Sequence, residues 1–531
     1  MSAKLAERLT IVAEKSRPAP DGGFLLNGAE VEVELPFEPV RYLVHGWQSW
    51  SLATWLDPAR SLPPQKPRRL HPMQLDPAYA SLPRPHGSWL GAVETPEDGI
   101  LLLGALGLEA HVELDGRRLR GRYESGSGEW FVGAGDETTV FSRYADMLEK
   151  RFGKGRVERP PRVWCSWYSL YTAIDENILH QALNDLANLP FDVFQVDDGW
   201  QRAIGDWEPN AKFPSGMDVL SARIQASGRT AGLWLAPLIV VPSAPLYQQH
   251  PDWLLRDEKG NPVSAGFNWG EPLFALDTTH PAVLEWLAAL MQKVRGWGYD
   301  YLKLDFLYAG ALPGKRYLDL PRETAYRNGL KVLREAMGDA YFLTCGAPIL
   351  PSIGLCDGMR IGPDVADIWI PYRDAVLLAN PTVPGGQNAL RTSLHRLWLA
   401  PLLHTDPDVV YFRSQRCSLS PQEKSLLQDL SLVAGFRATS DLPRWWTDEE
   451  RQQVRAWLER RPRVKRLGRY LFKIDDREVD FGPHIELPPA PQGWQKLQGN
   501  LFGWLGSQAA VLRALHKNGQ RLLQKMRAEN S

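Results

Sequence analysis

From Val163 onward the chain alternates short apolar runs with amphipathic segments, a grammar that few folds accommodate. The runs are Val163–Tyr168, Val193–Asp198, Thr230–Leu235, Tyr301–Phe306, Tyr341–Cys345 and Gly358–Asp364, with two weaker ones at Leu402–Asp406 and Phe436–Ser440. Segments such as Glu176–Leu189 and Val283–Trp297 lie between them with apolar residues at helical spacing. A strand that is apolar on both faces is buried on both, so the pattern implies a parallel sheet covered by helices. About eight such units in roughly 250 residues predict a (β/α)8 TIM barrel. Barrels of this kind carry their chemistry at the C-terminal strand ends. Here those ends hold Trp167, Asp197 and Asp198, Trp234, Lys303 and Asp305, Cys345, Arg360 and Asp364.

The run Tyr301–Phe306 is apolar apart from a cation and an anion two residues apart. Strand geometry puts Lys303 and Asp305 on one face. Buried charges pair or do chemistry, because leaving them alone is costly. A structural ion pair, a helix-capping Asp and a catalytic carboxylate all fit this run. In Asp197-Asp198 adjacent side chains face opposite ways within a strand. Both reach one ligand only past the strand end, where Gly199 lets the chain turn. Two carboxylates accepting from vicinal hydroxyls suit a sugar. Asp364 sits between Gly362-Pro363 and Val365-Ala366, a stiff apolar setting that favours a protonated acid; contact with Arg360 would oppose that. Two carboxylates without a metal-ligand pattern suit retaining glycoside hydrolysis, one as nucleophile and one as acid.

The residues up to about Lys150 read as β-rich, with Glu30–Leu35 alternating strictly and Ala110–Leu114 ending on an Asp115-Gly116 turn. A proline-rich excursion over about residues 57–88 follows the Trp47-Gln48-Ser49-Trp50 segment and is long enough to cover another domain. Thr138–Phe152 is helical in spacing and breaks at Gly153, Gly155, Pro160 and Pro161, a domain boundary. At the far end a helix from about Asp448, a small β segment at Tyr470–Ile474 and a tail striped by Leu512, Leu515, Leu522 and Met526 are expected. The balance of 61 basic against 62 acidic residues argues against a nucleic-acid partner. Trp outnumbers Phe, 21 to 17, as suits a pocket that stacks sugar rings. No run of 18 apolar residues marks a membrane span, and the scattered charges of Met1–Ser16 do not resemble a signal peptide. Cys165, Cys345, Cys356 and Cys417 lack metal spacing, so reduced thiols in a cytoplasmic protein are expected, with no metal or cofactor.

Together the motifs resemble glycoside hydrolase family 36, the bacterial α-galactosidases of clan D. They are Trp164-Cys165-Ser166-Trp167-Tyr168, Asp197-Asp198-Gly199-Trp200, Gly232-Leu233-Trp234, His250-Pro251-Asp252-Trp253, Lys303-Leu304-Asp305-Phe306, Cys345-Gly346 and Arg360-Ile361-Gly362-Pro363-Asp364. They cover about residues 40–410, and the last fifty or so residues match less clearly. The resemblance implies an N-terminal β-sandwich domain (1–155), a catalytic barrel (156–445) and a small C-terminal β domain with a helical tail (446–531). It implies Asp305 as nucleophile and Asp364 as acid/base in hydrolysis of terminal α-galactosyl groups from small oligosaccharides of the melibiose and raffinose type. Asp197, Asp198, Lys303 and Arg360 would hold galactose hydroxyls. Trp50, Trp167, Trp234, Phe306, Cys345 and Gly346 would complete the pocket, Trp50 from the N-terminal domain. A homo-oligomer is compatible with it. A raffinose-synthase-like galactosyltransferase uses the same covalent intermediate and stays open, as do a non-catalytic sugar binder and a metal-dependent hydrolase.

Overall fold

The computed structural model describes residues 8–20, 22–60, 68–96, 99–155 and 159–506. Leu512, Leu515, Leu522 and Met526 lie outside the described residues. The N-terminal region is two antiparallel sheets packed as a sandwich. One has five strands, Thr10–Val12, Glu30–Glu34, Arg118–Tyr123, Ala110–Asp115 and His86–Ser88 in spatial order. The other has seven, from Lys15–Pro18 at one edge to Ala53–Leu56 at the other. Glu30–Glu34 alternates exposed and buried side chains, the signature of one face on a core. Tyr42 crosses between the sheets to donate its hydroxyl to Val112 O at 3.1 Å. The helix Glu137–Phe152, capped by Asp136, leads out of the sandwich.

Eight parallel strands then form the barrel: β1 (Arg162–Cys165), β2 (Val193–Val196), β3 (Thr230–Leu235), β4 (Tyr301–Leu304), β5 (Tyr341–Thr344), β6 (Gly358–Arg360), β7 (His404–Asp406) and β8 (Arg437–Thr439). From β1 to β7 each strand pairs with the next, and β8 pairs with β1. A parallel bridge from Val410, just past β7, to Thr439 closes the ring. All eight apolar runs therefore contain strands; Thr230–Leu235 is strand throughout, and the other seven strands are shorter than their runs. Helices such as Glu176–Asp185, Pro281–Gly296 and Arg322–Met337 cover the outside through buried faces. Between β3 and β4 the chain inserts a small antiparallel sheet, Ile239–Val240, Ser264–Asn268 and Glu271–Ala275.

The sandwich is pinned to the barrel by buried polar contacts. Arg396 is fully buried, and its guanidinium donates to five carbonyl oxygens. Four belong to the sandwich loop, at Gly46, Gln48, Ser49 and Ser51; the fifth is Ile361, next to β6. Arg322 grips Asp76 at 2.7 Å and also pairs with Glu124. Glu109 accepts from the backbone of Glu323 and Thr324, at the start of helix Arg322–Met337. After the barrel, Asp448–Glu459 lies against helix Pro421–Ala434 through a Trp457–Ser431 hydrogen bond. A three-stranded antiparallel sheet (Val464–Arg466, Leu471–Ile474, Arg477–Asp480) follows, then a helix over 493–506.

Candidate active site

Asp305 stands one residue past β4. The apolar run predicts a strand through Phe306, but pairing ends at Leu304 and Phe306 takes a left-handed backbone, φ 54°. That conformation is costly for a bulky residue, by about 1–3 kcal/mol, and persists where surroundings over-determine it. It turns the Phe306 N–H back to Asp305 Oδ1, at 2.8 Å. Trp234, on β3, donates its indole N–H to Oδ2 at 2.9 Å. Both carboxylate oxygens are thus held. Burial raises the Asp305 carboxyl above its usual range; Lys303 and the Trp234 hydrogen bond oppose this, and the nearby Asp364 adds to it.

Lys303 makes its direct ion pair with another strand: its Nζ meets Asp197 Oδ2 at 3.0 Å, both groups buried. The same oxygen accepts from Gln195 Nε2 at 2.6 Å, and Ser166 Oγ accepts the Asp197 N–H at 2.9 Å. Asp198 accepts from Gln201 Nε2 at 2.5 Å and from the Trp269 indole at 2.7 Å. Burial pushes Asp198 up to about 6; those two hydrogen bonds resist, and the charges of Asp197 and Asp305 assist. β2 ends at Val196, so both carboxylates lie past the strand and face the same space.

Asp364 and Arg360 do touch: the guanidinium meets Asp364 Oδ1 at 3.0 Å. The same nitrogen also donates to Asp408 Oδ2 at 2.6 Å, so its charge is shared. Asp408 is fully buried and further accepts from the Tyr168 hydroxyl and the Val365 N–H. Burial pushes the Asp408 carboxyl up to about 7, against the pull of Arg360. The Asp364 side chain keeps 31% of its surface open, against 3% for Asp408.

These groups surround a cavity of about 200 Å³. Trp50, Trp167, Asp197, Asp198, Trp234, Lys303, Asp305, Phe306 and Asp364 line it. Trp50 meets Phe306 edge-on, with ring centroids 5.0 Å apart. Cys345, Gly346 and Arg360 stand behind the lining. Cys345 is buried beside Asp305, and a side chain at Gly346 would press on Trp50 and on the Phe306 backbone. The proline-rich excursion contributes Met73 and Gln74, with Gln74 Oε1 accepting from Asn380 Nδ2 at 2.9 Å. Asn268 and Trp269, from the tip of the inserted hairpin, also line the cavity and are not anticipated, nor are Pro363, Thr382 and Pro384. The signal for the hairpin residues is Asn268-Trp269-Gly270 between two alternating segments, a tight-turn pattern. Among the described residues no cluster of three or more His, Cys, Asp or Glu could hold a metal ion. Nor is any described helix long and apolar enough to cross a membrane.

The melibiase family model matches residues 134–335. In structure the chain is similar to TtGalA, the α-galactosidase of Thermus thermophilus, solved with p-nitrophenyl α-D-galactopyranoside: 50% identical, TM-score 0.86, over 90% of this chain and 97% of that one. The chain belongs to the melibiase family, glycoside hydrolase family 36. Melibiase relatives are glycoside hydrolases, and this chain shares their barrel with flanking β domains. α-Galactosidase AgaA of Geobacillus stearothermophilus is 29% identical over 36% of this chain and 27% of its own length. α-Galactosidase 2 of Pediococcus pentosaceus is 30% identical over 27% of this chain and 21% of its own. The matched segments thus span about a quarter of those curated relatives.

Proposed function

We propose that the chain is a retaining α-galactosidase that removes terminal α-galactosyl groups from small oligosaccharides. The observation that carries the reading is one cavity lined by four carboxylates, among them the unlike pair Asp305 and Asp364. Asp305 is buried and held through both oxygens, as a nucleophile should be. Asp364 is partly open and suits exchange of a proton with solvent and leaving group. Asp305 attacks the anomeric carbon while Asp364 gives its proton to the departing glycosidic oxygen. Asp364, now a base, then takes a proton from water, which attacks the same carbon and frees Asp305. Asp197, Asp198 and Lys303 line the cavity and would hold galactose hydroxyls, while Arg360, behind the lining, would orient Asp364. Trp50, Trp167, Trp234 and Phe306 would supply the ring-stacking wall, with Cys345 and Gly346 shaping its base. TtGalA has also been solved with stachyose, which supports an oligosaccharide of that type as substrate. The division into a sandwich (1–155), a barrel (156–445) and a C-terminal unit (446–531), and a cytoplasmic location, belong to the same proposal. Early-time proton NMR should show α-galactose as the first product. First appearance of β-galactose would overturn retention.

A further inference from the structure

The helix over 493–506 is amphipathic in the inverse sense. Its small residues face the protein: Gly499 and Gly503 are buried. A Cβ at Gly499 would lie 2.0 Å from Leu377 O, so only glycine lets the two backbones approach this closely. Gln495 Nε2 adds a 3.1 Å hydrogen bond to the Tyr372 hydroxyl on the same side. The large apolar residues point the other way. Trp494 is 81% exposed, Trp504 59%, Leu497 58% and Leu501 54%, with Leu505 and Phe502 beside them.

Scattered exposed leucines need no explanation, but this set is contiguous. Its steps of three, four and three residues place Trp494, Leu497, Leu501 and Trp504 on one stripe, the a/d seam of a coiled coil. From the fractional exposures the stripe presents on the order of 600 Å² of apolar side chain, the upper end of what a monomer shows and close to the ~800 Å² that each partner brings to a standard interface.

We infer that this face pairs with the same face of a second copy of the chain, making a two-fold helix–helix interface. Two observations favour a second copy over other occupants. A leucine and tryptophan seam at coiled-coil spacing is complementary to itself. Its flanks, Gln498, Asn500 and Leu505, are uncharged, so they neither repel an identical helix nor select a charged partner. A membrane-surface helix would instead carry a basic polar face, and Lys496 is the only charged residue in 493–506.

The test is the mass of the full chain in solution, by sedimentation velocity and light scattering from sub-micromolar to tens of micromolar. The parent chain should weigh at least twice one chain, and Leu497→Glu/Leu501→Glu should bring it to one, with nitrophenyl galactoside turnover within two-fold. As a second variant that keeps the seam intact, Gln498→Cys should cross-link chain to chain with a bifunctional maleimide, where the parent does not. A parent that is a single chain throughout overturns the inference, as does an oligomer unmoved by the double substitution or a Gln498→Cys chain that stays uncross-linked. Flotation of a monomeric parent with phosphatidylcholine/phosphatidylglycerol vesicles, lost in the double variant, would assign the face to lipid instead.

Discussion

Replacing Arg396 by methionine should loosen the cavity although Arg396 is not among the residues lining it. The guanidinium is buried, and the burial pulls it down to about 9. Its charge is met by five carbonyl dipoles, four of them on the 46–51 loop that carries Trp50. Methionine fills much of the volume and donates nothing. Were all five oxygens to stay buried and unpaired, at about 1–3 kcal/mol each, the loss would be about 5–15 kcal/mol, as large as the whole stability of a domain. The chain has an easier escape: the 46–51 loop can lift from the barrel and let water reach those oxygens. The measured loss of stability is then the smaller cost of undocking, set by the apolar surface of Trp47 and Trp50 that the lift exposes, about 2–4 kcal/mol. Lifting moves Trp50 off Phe306, and a displacement of about 1 Å at a positioning group can cost about a hundred-fold in rate. The expected result is a lower Tm and a ten- to hundred-fold lower kcat/KM on nitrophenyl galactoside, mostly through KM. Because the effect on catalysis runs through Trp50, Arg396→Met combined with Trp50→Ala should lose little more kcat/KM than the worse single variant. Unchanged KM in Arg396→Met, or fully additive losses in the pair, would show that the arginine does not act by holding the tryptophan.

Asp364→Gly should still glycosylate Asp305 from a nitrophenyl galactoside, accumulate that intermediate, and be rescued by azide to the α-galactosyl azide; Asp305→Gly should give only the β-azide, and the opposite pairing would reverse the two roles. Trp234→Phe removes a hydrogen bond that favours ionised Asp305, so the carboxyl rises further and the acid limb of kcat/KM should move to higher pH, with at least about a ten-fold loss on that limb; an unmoved limb would show that Asp305 does not set it. Glu323 is buried at the sandwich–barrel junction and pushed up to about 8, chiefly by burial. A carboxyl raised on folding contributes stability at low pH that declines above its ordinary value of about 4.3 and is lost as pH rises through about 8, so Glu323→Gln should flatten the fall of Tm across that window. An equal fall in the variant would place the titration elsewhere.

The barrel was legible because strands buried on both faces must be apolar throughout, and a run of that kind shows in one sequence whatever its tertiary partners. Even the weak runs at Leu402–Asp406 and Phe436–Ser440 contain strands, β7 and β8. The same logic exposed Lys303 and Asp305, but not whom each would meet. Pairing between barrel strands depends on their stagger, and the stagger sets Lys303 against Asp197. Trp269 is not legible as a lining residue because its hairpin lies in an insertion whose direction no periodicity encodes. Arg396 follows an ordinary amphipathic helix, and nothing in its neighbours says that five carbonyls converge on it. Asp408 is the instructive case. It too is a carboxylate ahead of an apolar run, Val409-Val410, and a rule that selects charges among apolar residues would select it with Asp305 and Asp364. What separates them is access. Asp305 and Asp364 line the cavity, whereas Asp408 lies behind it with its oxygens taken by Tyr168, Arg360 and two backbone N–H groups. A carboxylate with both oxygens engaged by protein and no cavity beside it can orient Arg360 but does not meet a sugar. A charge in an apolar run therefore marks where burial has been tolerated, and only the unfilled space beside it distinguishes a reacting group from one that holds the reacting group in place.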